Sequence, residues 1–348
     1  MRIPAIGMAL LAAALFGAST PLAKGLLEET SPHLLAGLLY LGAGLGLLAV
    51  WLGRRDGTRS QAALSRRELP WLAGAIASGG VLGPVLLMYG LLGVPASSAS
   101  LLLNLEGVFT TLLAWAVFRE HVPLRITLGM LAIVAGGAML SRGGQVAWGS
   151  LWGPLAVTGA CLCWAIDNNL TQRISAGDPV QIAQIKGLVA GVVNTGLALA
   201  LGAEVPALIP VTAALLVGFL GYGVSLVCFV LALRGLGTAR TGAYFSLSPF
   251  LGAALGILLY REPVTPLFLS AAALMALGLW LHLSERHEHS HEHELLEHSH
   301  THVHDGHHQH AHQAGDPAGE PHSHLHRHGR LAHSHPHYPD IHHRHGHS

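Results

Sequence analysis

Residues 97–122 read SSASLLLNLEGVFTTLLAWAVFREHV, an apolar run that ends in the charged pair Arg119-Glu120. A helix needs roughly 20 apolar residues to cross the ~30 Å hydrocarbon core of a bilayer, and this run has that length. One carboxylate, Glu106, interrupts it near its middle. The stretch therefore predicts a membrane-crossing helix that carries an acidic side chain at mid-depth.

The chain as far as residue 283 follows the same apolar pattern. Hydrophobic residues make up 51% of the 348 residues and charged residues only 11%, whereas a soluble domain has about 25% charged residues. Continuous runs exclude a membrane β-barrel, whose segments of ~10 residues alternate. Equal numbers of Lys+Arg and Asp+Glu, 19 each, exclude a nucleic-acid-binding surface. We predict an all-α polytopic membrane protein with ten spans near residues 3–23, 32–53, 70–91, 96–117, 123–141, 149–171, 178–202, 211–233, 239–260 and 264–283.

A second stretch matches the first. Residues 239–264 read ARTGAYFSLSPFLGAALGILLYREPV, and an offset of 142 residues places Phe118-Arg119-Glu120 on Tyr260-Arg261-Glu262 and Gly107 on Pro249. Span 1 matches span 6 at an offset of 148, with FGASTP (16–21) on WAIDNN (164–169). This match favours a span over a cleaved secretory signal at the N-terminus.

The two matches divide the chain into two halves of five spans. Five is an odd number, so the second half enters the membrane from the opposite side. We therefore predict two inverted repeats, 1–143 and 144–283, followed by a tail, 284–348. Inverted repeats are typical of secondary transporters, whose substrate site lies near mid-membrane at the repeat interface.

These features resemble the EamA-type members of the drug/metabolite transporter superfamily. The resemblance rests on an aromatic-Gly segment that leads to a basic residue, Phe16-Gly17 and then Lys24, and on fourth helices that end in Arg119-Glu120 and Arg261-Glu262. It covers about residues 5–283 and implies ten spans in two repeats and transport of small metabolites, often outward. The family often has Pro in both fourth helices, but the first half here has Glu106-Gly107.

The positive charges predict the orientation. Eleven Lys and Arg residues lie on the side of the termini and three on the opposite side. Cytoplasmic loops carry the excess of Lys and Arg. We expect a multi-pass protein of the cell (inner or plasma) membrane with both termini in the cytoplasm.

Glu106 is the leading candidate for the substrate or coupling site. A charged residue at a helix centre costs about 2.5–3.5 kcal/mol on insertion scales, so such residues face a cavity or a partner. Two interpretations are open. Glu106 either couples protons or binds a cationic substrate, or it is a neutral structural residue hydrogen-bonded to a neighbour such as Asn104.

Further polar candidates lie in spans 6 and 7. Asp167, Asn168 and Asn169 follow Trp164, and they form either a polar cavity wall or interhelical hydrogen bonds. Lys186 either snorkels to the membrane surface, the commoner behaviour near a helix end, or pairs with Asp167 or Glu106.

Span 9 supplies the last candidates for the site, Tyr244, Ser246 and Pro249. A proline within a helix removes a backbone donor and can kink it, which suits a hinge or a cavity edge. Ordinary packing between helices is the alternative for each residue.

The tail after residue 283 differs from the rest of the chain in composition. It holds 23 of the 26 His residues and few hydrophobic ones, so we expect it to be disordered. Neutral imidazole is the commonest metal ligand in proteins, and it suits Zn, Cu and Ni. We predict that divalent Zn, Ni, Co or Cu binds the tail, with ligands among His287, His289, His291, His293, His298, His300, His302, His304, His307 and His308.

Three functions fit these patterns. The first is a secondary active transporter of small polar metabolites, an exporter coupled to protons or to exchange, which requires no cofactor. The second is a transition-metal (Ni, Co or Zn) permease with the tail as cytoplasmic receiver or sensor. The third is a membrane-tethered metal buffer. The sequence has no ATP-binding loop of the G-x-x-x-x-G-K-[ST] type and no catalytic motif, so we do not expect an enzyme.

Overall fold

The body of the protein is a bundle of α-helices. The computed structural model describes residues 5–53, 68–118, 122–142, 151–172, 174, 179–236, 238–284, 288–293, 296–302, 322–328 and 331–336. The helices are α1 Ala5–Leu26, α2 Pro32–Gly53, α3 Leu69–Ala75, α4 Gly83–Gly93, α5 Ala96–Leu102, α6 Leu105–Phe118, α7 Leu124–Arg142, α8 Trp152–Gln172, α9 Pro179–Ala200, α10 Leu208–Gly218, α11 Ser225–Leu236, α12 Thr238–Phe245, α13 Ser248–Tyr260 and α14 Pro266–Leu283.

Nine helical segments in the described ranges are long and apolar enough to cross a membrane. They correspond to the predicted spans except span 6. In place of span 6 lies α8, which has 21 residues but contains Asp167, Asn168, Asn169, Thr171 and Gln172 near its C-terminal end. These side chains lower its hydropathy. The prediction of a helical multi-pass membrane protein is confirmed.

The fourth span of each half is broken rather than continuous. The first break lies at Leu103-Asn104, between α5 and α6, and the second at 246–247, between α12 and α13. At the first break the backbone N–H of Asn104 bonds back three residues to the carbonyl of Leu101 (3.1 Å), and at the second Leu247 bonds back to Tyr244 (3.2 Å). The first half thus breaks its helix without a proline.

The third span of each half contains a π-helical segment. These segments are Ile76–Leu82, between α3 and α4, and Phe219–Val224, between α10 and α11. A π-helical turn leaves backbone carbonyls available to other partners and is frequent at functional sites. In the first segment the carbonyl of Gly79 accepts hydrogen bonds from two other helices, as described below.

Two long helix pairs run antiparallel along their contacts. In the pair of α2 and α9, Gly37 lies against Thr195, and Gly44 lies against Gly187 and Leu188. In the pair of α7 and α14, Gly129 lies against Gly278 and Gly136 against Ala271. Small residues let helix backbones approach closely in lipid, where van der Waals packing drives association.

The remaining contacts occur in matching pairs. The C-terminal part of the third span packs on the first helix of the other half, α4 on α8 and α11 on α1. The second part of the broken span does the same, α6 on α8 and α13 on α1. Large apolar side chains cover the outside of the bundle, and Ile209 is 80% exposed. This surface suits lipid rather than water.

The described part of the tail has backbone pairing where the sequence predicts no regular structure. Strands β1 Glu288–His293, β2 Leu296–His302, β3 His322–His328 and β4 Leu331–Pro336 form two antiparallel pairs, β1 with β4 and β2 with β3. Alternation of His with other residues matches the two-residue period of a strand. An isolated two-stranded pair is at best marginally stable in water, so disorder of the tail stays a prediction.

The close approach of α2 and α9 generates the first test. A Cβ atom at Gly44 would lie 2.5 Å from the backbone nitrogen of Leu188, whereas a Cβ at Gly196 in α9 meets no atom within 4 Å. We expect Gly44→Ala to lower the free energy of unfolding by about 1–3 kcal/mol, as overpacking does. The measurement is thermal unfolding in detergent. The matched control, Gly196→Ala, should leave the melting temperature unchanged or raise it, and equal values for both variants would contradict the packing described.

Candidate functional site

Glu106 lies in the first turn of α6, directly after the break in its span. Its Oε1 accepts a hydrogen bond of 2.8 Å from Nδ2 of Asn168 in α8. The Glu106 side chain is half-buried and Asn168 is exposed. The broken span therefore presents its carboxylate to α8 beside an exposed amide side chain.

Asp167 and Lys186 form an ion pair between α8 and α9. Nζ of Lys186 lies 2.5 Å from Oδ1 and 2.7 Å from Oδ2 of Asp167. The Thr171 hydroxyl donates to Oδ1 of Asp167 (2.8 Å) and lies 3.3 Å from Nζ of Lys186. The side chain of Asp167 is 9% exposed and that of Lys186 is 17% exposed. Lys186 is thus a partner of Asp167, the second of the two alternatives, and not a snorkelling residue.

The first π-helical segment makes room for this pair. A Cβ atom at Gly79 would lie 2.1 Å from Oδ2 of Asp167, so only glycine fits there. The carbonyl of Gly79 accepts two hydrogen bonds, from Nε1 of Trp164 (2.9 Å) and from the hydroxyl of Tyr40 (2.8 Å). Residues from α2, α8 and the π-helical segment therefore hold one another in place beside the carboxylate.

The three adjacent polar residues of α8 point in different directions. Asp167 and Asn169 are buried, whereas Asn168 is exposed. The Asn169 amide donates to the carbonyl of Ala165 (2.8 Å) and lies 3.4 Å from that of Thr110. Asn169 therefore bonds to the backbone, as does Asn104, which donates to the carbonyl of Leu101 (2.8 Å). Asn104 stabilises the helix break rather than Glu106.

The candidates of span 9 have other described partners than this cluster. Ser246 donates to the carbonyl of Gly242 (2.7 Å) in its own helix, and Tyr244 is half-buried. Pro249 lies in the first turn of α13, where a missing N–H costs no hydrogen bond. Pro249 thus begins a new helix and does not kink a continuous one. None of the three bonds to Glu106 or Asp167 among the described contacts.

A row of half-buried aromatic rings extends from Tyr40 toward the second half. Ring centroids lie 5.7 Å apart for Tyr40 and Tyr222, 5.8 Å for Tyr222 and Phe16, and 5.3 Å for Phe16 and Phe245. Phe16 is the residue that the repeat match aligns with Trp164. Sequence reasoning missed Tyr40, although an aromatic residue amid the glycines of span 2 is a signal that could have found it.

One end of the bundle has a second polar cluster that sequence reasoning also missed. Lys24 donates to the carbonyls of Leu91 (2.7 Å) and Val94 (2.5 Å) at the end of α4. The Glu262 carboxylate accepts from the backbone N–H groups of Ala96 (2.6 Å) and Ser97 (2.9 Å) at the start of α5. The two charges stabilise the turn between these helices. The recurrence of Arg-Glu at a fixed offset was the available signal.

No group of three or more His, Cys, Asp or Glu side chains suited to a metal ion occurs where side chains are described. His33 bonds to the Tyr89 hydroxyl (3.0 Å) and His282 to the carbonyl of Ile126 (3.1 Å), so these two serve helix packing. Of the predicted tail ligands, His289, His291, His293, His298, His300 and His302 lie on β1 and β2. The other four, His287, His304, His307 and His308, lie outside the described residues.

Both halves of the chain match one family model. The EamA-like transporter family model matches residues 3–142 and again residues 151–284. The chain belongs to the EamA-like transporter family. It is thus a multi-pass membrane transporter of the drug/metabolite type, as the sequence resemblance predicts.

Two further likenesses accord with the EamA-like family. A protein described as an uncharacterized transporter, from Methanothermobacter thermautotrophicus (strain ATCC 29096 / DSM 1053 / JCM 10044 / NBRC 100330 / Delta H), is 30% identical over 268 residues, which cover 71% of this chain and 77% of the relative. A solved crystal structure matches with a TM-score of 0.59 at 18% identity and covers 80% of this chain and 96% of its own. The second likeness shows the fold alone.

The ion pair generates the second test. Lys186→Met leaves Asp167 charged and unpaired, and we expect a loss of about 3 kcal/mol of unfolding free energy, the low end for a buried pair. Replacing both partners, Asp167→Asn with Lys186→Met, should restore most of that loss. The measurement is denaturant unfolding of the purified variants. Losses that simply add in the double variant would contradict a direct interaction between the two charges.

Proposed function

We propose that the protein is a secondary active transporter of small polar metabolites that works by alternating access between two inverted five-helix halves. The antiparallel pairs α2 with α9 and α7 with α14 support inversion, because each joins helices that hold the same place in the two halves. The paired π-helical segments and the paired helix breaks support a common origin of the halves. The repeat boundaries 1–143 and 144–283 belong to this proposal.

The orientation is part of the same proposal. The excess of Lys and Arg in the loops on the side of the termini favours a cytoplasmic location for both ends in the cell membrane. The end with Lys24 and Glu262 then faces outward. Export coupled to protons or to exchange fits a transporter whose described residues include no nucleotide-binding loop.

The carrying observation is the hydrogen bond between Glu106 and Asn168. It joins α6 of the first half to α8 of the second. It lies next to the break between the helices α5 and α6 of the fourth span. Broken helices are the places where transporters bind substrates and coupling ions. Charged residues inside the membrane mark substrate paths and proton relays. We therefore assign the substrate or coupling site to Glu106 and Asn168, with Asp167, Lys186 and Trp164 as its support.

The test is transport in proteoliposomes with an imposed pH gradient, screened with amino acids, amines, sugars and divalent metals. We expect Glu106→Gln to reduce transport, or its response to the gradient, by about tenfold or more, since tenfold corresponds to 1.4 kcal/mol of lost interaction. Glu29→Gln is the matched control, because Glu29 is exposed in the loop between α1 and α2. Rates unchanged at every pH would remove Glu106 from the site.

We further propose that the tail binds divalent transition metals. Antiparallel register supports this, since it places His289 opposite His335 and His291 opposite His333 in one pair of strands, and His298 opposite His326 in the other. Imidazole suits Zn, Ni and Cu. The metal sites would involve His side chains from both strands of a pair.

Deleting residues 284–348 tests the role of the tail. We expect the full chain to bind Zn²⁺ or Ni²⁺ in calorimetry and the truncated chain to bind little, because the tail holds 23 of the 26 His residues. Metabolite transport by the truncated chain should persist. Loss of metal transport alone on truncation would favour a metal permease instead, and unchanged metal binding would contradict the tail as the binding element.

A further inference from the structure

The charges around the contact of α6, α8 and α9 do not balance. Three charged side chains lie on these helices, Glu106, Asp167 and Lys186, and two of them form the ion pair already described. Glu106 bonds to a neutral amide. We infer that the ligand of this site is a monovalent organic cation that pairs with the ionised Glu106, and that the Asp167–Lys186 pair adds no net charge of its own. This inference rests on the proposed function and names its substrate class.

Lys186 has no donor left for Glu106. An ammonium group has three N–H donors, and three acceptors surround Nζ: Oδ1 and Oδ2 of Asp167, at 2.5 and 2.7 Å, and the Thr171 hydroxyl, at 3.3 Å. The contact with both carboxylate oxygens neutralises Asp167. The pair therefore adds no net charge to the site.

Glu106 keeps an open acceptor. Oε1 accepts from Asn168 at 2.8 Å, and no residue within the described ranges donates a hydrogen bond to Oε2. Glu106 is half-buried and its partner Asn168 is exposed. A carboxylate in hydrocarbon without a counter-charge is costly. A positive ligand stabilises the ionised form of Glu106, whereas a neutral or negative ligand leaves the protonated form favoured.

The surroundings favour an organic cation over a metal ion. A metal requires several ligand side chains in one place, and no such group of His, Cys, Asp and Glu occurs among the side chains described. Aromatic rings lie instead beside Asp167, the neighbour of Asn168 in α8. Tyr40 and Trp164 share the Gly79 carbonyl beside Asp167, and Tyr222 and Phe16 continue the row. Such rings attract ammonium groups through their faces and pack against apolar substituents.

The experiment changes the charge of the site one unit at a time and measures binding in lipid nanodiscs by calorimetry. The probes are phenyltrimethylammonium, the doubly charged hexamethonium, and benzoate. Wild type should bind phenyltrimethylammonium best. Glu106→Gln, which makes the site neutral, should weaken that binding by about tenfold or more, as expected for the loss of a partly exposed ion pair. Glu29→Gln should bind like wild type.

Two further variants separate charge from folding. Asn168→Asp adds a second carboxylate at an exposed position and should raise the ratio of hexamethonium to phenyltrimethylammonium affinity by about tenfold. The double variant Asp167→Asn with Lys186→Met removes the pair but keeps the net charge, so the order of the three affinities should stay that of wild type even though each affinity falls with the loss of support. A shift of the double variant toward benzoate or hexamethonium would overturn the role given to the pair.

The outcomes distinguish this inference from the proposed function. Benzoate bound as tightly as the monovalent cation, or unchanged cation binding in Glu106→Gln, would overturn the inference. Transport of an uncharged or anionic solute in proteoliposomes would then leave a transporter of another substrate class. Cation binding as predicted, with no solute moved by any gradient, would contradict the proposed function while the binding site stands.

Discussion

The hydrocarbon of a bilayer offers no hydrogen-bond partner, so every polar group at that depth must find one within the protein or in water. This constraint accounts for much of the bundle. The π-helical segment frees the Gly79 carbonyl, and Tyr40 and Trp164 donate to it. At the break after α5 the Leu101 carbonyl accepts from both the backbone N–H and the side-chain amide of Asn104. Irregular backbone is thus tolerated here because neighbouring side chains satisfy it.

The same constraint ties the charged residues to one another. Asp167 forms an ion pair with Lys186, accepts a hydrogen bond from Thr171 and packs against Gly79. These three contacts stabilise a buried carboxylate. Glu106, one helix away, has a single amide partner. The two acids lie on neighbouring helices but differ in their partners. A lysine neutralises the charge of Asp167, whereas no cation among the described contacts neutralises that of Glu106. Under the proposal above, this difference separates a structural charge from one available to a ligand.

The sequence was sufficient for features with a periodic or repeated signal. Apolar runs of membrane length predict the helices, and the repeated Arg-Glu pair predicts the family. Side-chain partners across helices were less accessible, because they depend on helix rotation and crossing. Lys186 illustrates this, since its distance from a helix end suggests snorkelling while its rotation brings it to Asp167. The break at Asn104 was also missed, because a break without proline has no strong local signal.

The polar contacts at the Lys24 end bear on how the transporter cycles. Glu262 and Tyr260, whose hydroxyl donates to the carbonyl of Pro21 (2.7 Å), join the second half to the first there, and Lys24 bonds within the first half beside them. The residues at the matching offsets, Gln172 for Lys24 and Phe118 for Tyr260, have neither the ammonium nor the hydroxyl. If the two halves had identical sequences, the contacts that close the protein at its two ends would be equally strong. This chain is unequal in that respect, and under the alternating access proposed above the inequality would favour one conformer of the resting transporter.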